Sequence, residues 1–331
     1  MGLKTVFIIA VTTARMIFPG LSALTPVEPK PAEEPVTAMR SVMFDLASEQ
    51  SITQPQASVT LPEGLMLGKS AKLQTSVVTP PSKPSTEPAQ GEETKVLMKT
   101  YWGSSETVQP KQPSVKQDTS ADAAAVAPAL SGRNYRILAQ WPGIQSDYGT
   151  VMIKPEASAV GTYTLSSNFT TATSATVDPE QDFLAPVIIS GIDKSVDPDK
   201  PISVQWKSIP NALAYLVVAY GGNAKESITW TAGAEAGASL DIESWAMTRE
   251  QVTKYIEDKV LLPADATNCI IPAKIFKGST GAMLSITAIG TDKIQENNGL
   301  ETQIIVRSMA SIPLFSTKYK KAEEPFPAAP K

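Results

Sequence analysis

The chain has 331 residues, of which 42% are hydrophobic, 6% aromatic and 19% charged, and its formal charge at pH 7 is −4. This length has room for about two domains of ~100–200 residues each, and the apolar fraction is sufficient for real hydrophobic cores. Because phosphate binding needs a cluster of positive charge and no basic face stands out, the composition argues against nucleic acid as the main partner.

The sequence contains no histidine and a single cysteine, Cys269. The absence of histidine excludes Ser-His-Asp and Cys-His catalysis and the HExxH type of zinc site. One cysteine allows neither an intramolecular disulfide nor a cysteine zinc cluster. We expect Cys269 to be a small buried hydrophobe, and the chain to be neither an enzyme nor dependent on a metal or cofactor.

The N-terminus has the features of a secretory signal peptide over residues 1–23. Lys4 precedes an apolar run, Thr5–Ala14, and the small residues Leu21-Ser22-Ala23 offer a cleavage point. Arg15 ends the apolar run before it reaches the ~18 residues of a membrane span. Cleavage after Ala23 predicts an extracytoplasmic chain, periplasmic or secreted, without a transmembrane span. The alternatives are an uncleaved interfacial anchor or a cytoplasmic N-terminus.

The first half of the chain predicts a loosely organised β-domain over residues 36–184, after a disordered spacer over 24–35. Its candidate strands show alternation or apolar runs bounded by turn residues. Pro-, Ser- and Ala-rich stretches at about 79–93 and 116–132 predict disordered insertions. The candidate segments are 40–46, 57–78 (with turns at Gly64 and Gly68), 95–102 and 163–169.

The second half predicts a β-sandwich over residues 185–316, followed by a disordered, solvated tail over 317–331. Short apolar or alternating runs separated by turn signals are typical of such a fold. The candidate strands are 202–206, 215–220, 227–231, 268–271, 282–289 and 301–306.

One helix is predicted inside this sandwich, over residues 248–262. Thr248 and Gln251 form a capping box, and Met247 can pack against Val252 as a hydrophobic staple. Pro263 marks the predicted stop. We expect the helix to pack over an open end of a sheet, with a ligand gate as the alternative.

The stretch from Ile202 to Trp206, followed by Pro210 and then Tyr215, resembles the fibronectin type III pattern of immunoglobulin-like domains. In that family a Trp on the second strand packs near a Tyr on the third. The resemblance covers roughly residues 186–231 and implies a β-sandwich without indicating a ligand. The predicted helix departs from the family pattern.

A second resemblance extends over more of the chain. The segments that carry it are Tyr101-Trp-Gly-Ser-Ser-Glu-Thr-Val108 with Gln112-Pro113, Gln181–Pro186, Val260–Pro263, and Thr267–Pro272 with Gly281-Ala-Met283. Together they are similar to a family of uncharacterised exported proteobacterial proteins. Ser104 stands where a cysteine often occurs in that family, so a pairing with Cys269 is excluded here. The family implies export and no specific biochemical function.

Four aromatic residues are candidate binding residues: Tyr101, Trp102, Trp230 and Trp245. Each can be a platform for a ligand such as a sugar ring, or a core aromatic, and the sequence leaves both readings open.

Two groups of acidic residues could be functional sites or ordinary surface charge. Asp193, Asp197 and Asp199 surround Pro198 and could bind Ca²⁺, although their spacing is not that of an EF-hand and Asp is common in turns. Asp241 and Glu243 could form a glycosidase-type carboxylate pair. The default interpretation is that Asp193, Asp197 and Asp199 are ordinary turn residues and that Asp241 and Glu243 are exposed surface charge.

The sequence therefore favours an exported envelope protein with a non-enzymatic binding or structural role, in contact with an envelope protein or a surface glycan. The rival hypothesis is a secreted glycan-active hydrolase that uses paired carboxylates. A third is a structural subunit whose exposed strand edge is completed by a neighbouring chain. Oligomeric state is left open.

Overall fold

The computed structural model describes residues 4–16, 38–78, 96–118, 135–142, 153–192, 196–234, 244–297 and 299–316. The predicted spacer, the first predicted insertion, most of the second and the tail lie outside this described part. Lys116 to Asp118, assigned by sequence to the second insertion, are instead the end of a strand.

The described residues form a mainly β fold with one α-helix, as predicted. The strands are β1 (Thr5–Met16), β2 (Met39–Ser48), β3 (Ala57–Thr60), β4 (Ser70–Lys72), β5 (Gln74–Val77), β6 (Val96–Trp102), β7 (Ser114–Asp118), β8 (Ile137–Trp141), β9 (Gly161–Ser167), β10 (Thr173–Val177), β11 (Ile189–Ser190), β12 (Ile202–Trp206), β13 (Ala214–Gly222), β14 (Glu226–Thr231), β15 (Leu262–Pro263), β16 (Asn268–Ile271), β17 (Gly281–Ile289), β18 (Lys293–Asn297) and β19 (Leu300–Ser316). The helix is α1 (Arg249–Glu257).

Three sheets build a β-sandwich. The largest has 12 strands, ordered β5-β8-β2-β1-β19-β17-β13-β14-β6-β7, with β15 beside β13 and β18 beside β19. A four-stranded sheet, β10-β9-β3-β4, and a three-stranded sheet, β11-β12-β16, complete the fold. Both predicted domains therefore contribute strands to one continuous sheet.

Aromatic pairs show where the two small sheets cover the large one. Tyr163 of β9 packs against Phe44 of β2 with ring centroids 5.7 Å apart, and Trp206 of β12 meets Tyr215 of β13 edge-on at 5.6 Å. All four side chains belong to one buried cluster that runs beneath both small sheets. The backbone N–H of Ile209 donates to the buried Tyr215 hydroxyl at 2.8 Å, which fixes the turn between β12 and β13.

Strand β1 lies at the junction of the two halves of the large sheet. It pairs in parallel with β19 along all 12 of its residues and antiparallel with β2 from Thr5 to Ala14. The predicted signal peptide therefore coincides with an internal strand. An apolar run of this length is typical both of a signal peptide and of a strand that is buried on both faces. Removal of residues 1–23 stays a prediction; it would remove β1 as well.

The helix begins where the sequence predicts. The Thr248 hydroxyl accepts from the Gln251 backbone, the Gln251 side chain accepts from the Thr248 backbone, and Met247 and Val252 share one buried cluster. The end at Glu257 corrects the prediction of residue 262. The chain leaves the helix because Lys259 adopts a left-handed conformation with φ of 57°.

A buried ion pair ties the approach to α1 to strand β19. The two Arg307 terminal nitrogens donate to the two Asp292 carboxylate oxygens at 2.7 and 2.8 Å. The same carboxylate accepts from the backbone N–H of Met247 and of Val306. Because the guanidinium also donates to the Trp245 carbonyl at 2.8 Å, the pair fixes the segment that enters the helix.

No helix among the described residues combines the length and the apolar character needed to cross a membrane.

Candidate functional site

Tyr101 and Trp102, the first two candidate binding residues, end strand β6. Successive side chains of a strand point to opposite faces of its sheet. Tyr101 packs against the main core, and this partial burial raises the pKa of its hydroxyl. Trp102 projects from the other face and is half-buried. The two rings therefore do not form a shared platform, and Trp102 is the one that faces open space.

The loop that follows Trp102 is fixed by hydrogen bonds to two other strands. Gly103, with φ of 86°, donates its N–H to the carbonyl of Thr231, and Ser105 donates its N–H to the carbonyl of Ile270. The Ser104 hydroxyl accepts from the N–H of Ile270 at 2.8 Å. These bonds anchor the loop to β14 and β16.

Gln112 holds the far end of the loop against Trp102. Its side-chain oxygen accepts from the Trp102 N–H at 3.2 Å, and its side-chain nitrogen donates to the Trp102 carbonyl at 2.8 Å. The Gln112 side-chain amide thus forms the two backbone hydrogen bonds that a neighbouring strand would otherwise form with Trp102. It therefore fixes the backbone that carries the indole.

The other two candidate tryptophans have structural positions. Trp230 is fully buried in the main core, and its indole N–H donates to the Gly103 carbonyl at 3.1 Å. It therefore supports the loop from behind and is not accessible to a ligand. Trp245 is half-buried beside the Arg307–Asp292 pair, and it is not among the described residues that line the cavity beside Trp102.

A cavity of about 430 Å³ lies between Trp102 and the segment that follows helix α1. Its walls are mostly apolar, and a few polar groups, Ser104, Gln109, Gln112 and Lys259, stand among them. This volume and this mixture are typical of a site that receives a small ligand or a side chain of a partner. The apolar lining includes Trp102, Ala232, Ile256, Leu261, Leu262 and Pro263.

Gly233 allows the cavity walls to approach each other closely. A Cβ at this position would lie 2.4 Å from the Lys259 carbonyl oxygen and 2.6 Å from that of Val260. The next residue, Ala234, donates its N–H to the Lys259 carbonyl at 2.5 Å. Any larger residue at position 233 would therefore push the segment after the helix outward.

The chemistry of this cavity suits binding. None of the described residues that line it is a carboxylate, and Lys259 is its charged side chain. An acid–base pair of the glycosidase kind needs two carboxyl groups across a cleft. Asp241 and Glu243, the predicted pair, lie outside the described residues.

The other sequence candidates have structural roles where they are described. Asp197 lies 3.8 Å from the Lys200 ammonium, and Asp199 pairs with Lys277 at 3.0 Å, while Asp193 is outside the described part. No group of three or more His, Cys, Asp or Glu suited to a metal ion occurs in the part of the chain that the structure describes.

Cys269 is buried, as expected, and burial raises the pKa of its thiol to about 12. Its neighbour Ile270 is the residue that bonds to Ser104. Ser104, which stands where the similar family often has a cysteine, therefore lies close to Cys269. In this chain the hydrogen bond to the Ser104 hydroxyl joins the loop to β16.

Comparisons with known proteins leave the family open. No protein-family model matches the chain, and no curated protein does. Among solved structures, the chain is similar to the Mu homology domain of Fcho1 from Danio rerio, solved with a bound Eps15 peptide. The identity is 8% and the TM-score 0.25, over 93% of this chain and 96% of that one. A likeness this weak supports no conclusion about fold or ligand.

Sequence reasoning identified Trp102 but missed most of its surroundings. Gln112 and Gly103 lie in the segment that carries the second resemblance, which was the available signal. Gly233, Ile256 and Leu261 are ordinary residues in the sequence. They become part of the site because strand pairing and the early helix end bring them to Trp102.

Proposed function

We propose that this protein is a non-enzymatic, extracytoplasmic binding protein, and that the cavity beside Trp102 receives an apolar side chain of a partner protein. The observation that carries the proposal is the cavity itself. A half-buried indole on a fixed backbone faces mostly apolar walls, with polar groups among them. Protein interfaces commonly have this anatomy of an apolar centre inside a polar rim, and Trp is frequent at their energetic centres.

The sheet face that carries Trp102 supports a protein partner over a glycan. Trp102 on β6 lies opposite Thr231 on β14, and Thr231 lies opposite Val218 on β13. Tyr220 follows Val218 by two residues on β13, so its side chain points to the same face. Tyr220 is in turn in register with Met283. The same sheet face therefore carries Trp102, Tyr220 and Met283, and the last two are 41% and 43% exposed. Exposed large apolar side chains on the sheet face that carries Trp102 favour contact with a protein.

The strand arrangement supports a fibronectin type III character for the C-terminal sandwich. The sheet β11-β12-β16 packs on the run β19-β17-β13-β14, which fits the three-on-four division of seven-stranded immunoglobulin-like domains. The contact between Trp206 and Tyr215 fits the resemblance read from the sequence. Such domains are frequent scaffolds for binding surfaces, so this assignment agrees with a binding role.

Membership of the exported proteobacterial family is part of the same proposal. Two segments that carry that resemblance, 101–113 and 260–263, contribute walls of the cavity. Extracytoplasmic location is supported by Lys4, the apolar run Thr5–Ala14 and the small residues before Leu24.

The test is affinity capture from envelope extract with three baits: wild type, Trp102→Ala and Leu97→Ala. Leu97 lies on the same strand as Trp102, on the opposite face, and is 41% exposed, so its variant is the matched control. We expect one partner to be retained by wild type and Leu97→Ala, and to be recovered at least ~10-fold less with Trp102→Ala. Calorimetry with the purified partner should repeat this ranking.

Two results would contradict the proposal. Equal recovery of every bound protein by all three baits would show that the cavity beside Trp102 does not take part in binding. Binding to a glycan array that is lost with Trp102→Ala would assign the cavity to sugars, and reproducible turnover of a glycan would contradict the non-enzymatic role.

A further inference from the structure

The position of β1 has a consequence for the exported protein. Within the described part of the chain, β1 is the strand that hydrogen-bonds to both β2 and β19 and so joins the two halves of the large sheet. If residues 1–23 are removed, as the predicted leader cleavage implies, the ladders to both neighbours are lost. The two strands that flank β1, β2 and β19, would then face an empty slot.

The slot is apolar on both sides of the sheet. Phe7, Ile9 and Val11 lie in the main core, whereas Val6 and Ile8 lie in a separate cluster on the other face. A strand that is buried on both faces has no alternation of polar and apolar residues. The occupant of this slot must therefore supply large apolar side chains to both faces in succession.

Both walls of the slot are completed by buried residues of the neighbouring strands. Phe44 stacks on Phe7 from β2, with ring centroids 6.3 Å apart, and Ile304 and Val306 stand in register with Ile9 and Val11 on β19. All of these side chains are at most 1% exposed. An empty slot would place this apolar surface and two rows of unpaired backbone groups in contact with water, which proteins avoid.

Two hydroxyl groups define the ends of the slot. The Thr5 hydroxyl lies 2.9 Å from that of Ser48, and the Thr13 hydroxyl donates to the Leu184 carbonyl at 2.8 Å. Both contacts are buried. They fix the register of any strand that occupies the slot, because a shift by one residue would exchange the two faces.

We propose that the mature chain uses the slot between β2 and β19 to bind an extended strand of a different protein, parallel to β19. The strand would carry consecutive large apolar residues with a hydroxyl residue towards each end. This inference rests on the proposed export and leader cleavage. Addition of a strand from another chain is an established mode of recognition.

A second copy of the chain does not fit the slot. It would lack β1 as well, and the strands at the described sheet edges have at most five residues each; they are β4, β5, β7, β10, β11, β15, β16 and β18. The β5 edge is also largely polar in sequence, Gln74-Thr-Ser-Val77. A slot that holds 12 residues therefore needs a longer and more apolar strand than this fold leaves at its edges.

The test starts from the full chain, so that folding occurs with β1 present. A protease site is introduced after Ala23, the folded protein is cut there, and an isotope-labelled peptide of residues 4–16 is added in excess. The matched control peptide carries Phe7→Asp and Ile9→Asp. Native mass spectrometry measures the fraction of the protein that carries β1, the labelled peptide or the control peptide. The measurement is made at room temperature and just below the unfolding temperature.

We expect the labelled peptide to replace β1, and the control peptide to bind at least ~10-fold more weakly, because two carboxylates would enter an apolar slot. The proposal is overturned if β1 does not exchange even just below unfolding, since the slot would then open only when the whole protein unfolds. It is also overturned if β1 leaves, circular dichroism is unchanged and neither peptide binds.

The N-terminus of the protein recovered from its source separates this inference from the proposed function. If the recovered protein begins at Leu24, the cleaved chain exists in the cell. A failed peptide exchange then overturns the strand-binding role and leaves the proposed function of the Trp102 cavity unaffected. If the recovered protein begins at Met1, the predicted cleavage is wrong, and so is the open slot that depends on it.

Discussion

The two halves of the large sheet are built in different ways. In the C-terminal half, β13 pairs with β14 across a short turn, and β17 pairs antiparallel with β19. In the N-terminal half, β2 pairs with β8, so that Phe44 lies opposite Trp141, and β5 pairs with β8, so that Gln74 lies opposite Gln140. The C-terminal half therefore contains two pairs between strands that are close in the chain, β13 with β14 and β17 with β19, beside two distant pairs, β13 with β17 and β14 with β6. In the N-terminal half, both partners of β8 are distant in sequence.

The difference shows that local pattern and tertiary context contribute unequally to the two halves. Each half nevertheless uses an aromatic pair to join its small sheet to the large one, Phe44–Tyr163 on one side and Trp206–Tyr215 on the other. Strand β1 is the element that both halves share. Substitutions in β1 and in the two pairs therefore test whether the halves are stabilised alike.

The largest effect is expected for Phe7→Ala in the full chain. Phe7 is fully buried and stacks on Phe44, so truncation should lower the free energy of unfolding by about 3–5 kcal/mol. Urea unfolding followed by tryptophan fluorescence measures the loss. Leu97→Ala, at an exposed position, is the control and should change stability by less than ~0.5 kcal/mol. A Phe7→Ala protein as stable as this control would show that β1 does not join the halves.

Next in size is the contrast between Tyr215→Phe and Tyr163→Phe. The Tyr215 hydroxyl accepts the buried N–H of Ile209, whereas the Tyr163 hydroxyl donates to the carbonyl of Ala159, both at 2.8 Å. A buried N–H without a partner is tolerated less well than a carbonyl. We expect a loss of about 2 kcal/mol for Tyr215→Phe and a smaller one for Tyr163→Phe, measured by urea unfolding. The reverse order would contradict this reading of the two pairs.

Thr248→Ala should have a smaller effect, restricted to the C-terminal half. Loss of the N-cap hydroxyl should destabilise α1 by about 1 kcal/mol. Thr253→Ala, an exposed position inside the same helix, is the control. Hydrogen exchange of the helix amides should increase for Thr248→Ala alone, and equal exchange in both variants would rule out the capping contribution.

The smallest expected effect belongs to Asp45→Asn in the N-terminal half. Burial raises the pKa of the Asp45 carboxyl, and its hydrogen bond from the Gln140 side chain at 2.9 Å opposes this shift only in part. A raised pKa in the folded state means that protonation stabilises the fold; this stability is present below the unfolded pKa and is lost as pH rises through the folded pKa.

Asparagine keeps an oxygen for the Gln140 amide and carries no charge. Asp45→Asn should therefore be slightly more stable than the wild type at pH 7, and the difference should disappear at pH 3. Thermal unfolding at the two pH values measures this change. A variant that is less stable than the wild type at pH 7 would contradict the dominance of burial.

The sequence predicted the elements whose signals are local. Strand β12 has the predicted bounds, and the capping box placed the start of α1, because both depend on residues next to each other in the chain. The end of α1 was missed because Lys259, an ordinary residue in sequence, adopts a left-handed backbone that the segment running to the cavity wall requires. Strands β8, β10 and β18 were missed because they are short and depend on partners.

The candidate site was predictable only in part. Trp102 was one of four candidate binding aromatics, with a core position as the alternative, and strand alternation implies that Tyr101 points the other way. The cavity depends on Gly233 and Leu261, which reach Trp102 through pairing between β14 and β6 and through the path of the chain after the helix. No pattern in a single sequence encodes such a meeting of distant segments.

The parallel pairing of β1 and β19 also determines how the fold would respond to mechanical force. A pull applied to the Thr5 end of β1 and the Ser316 end of β19 acts along both strands in opposite directions. The hydrogen bonds between them would then be loaded together in shear, instead of opening one after another as in a peeled hairpin. With β1 intact, the fold is a mechanical clamp between these two ends. With a strand from another protein in its place, the same ladder would carry tension from one protein to the next.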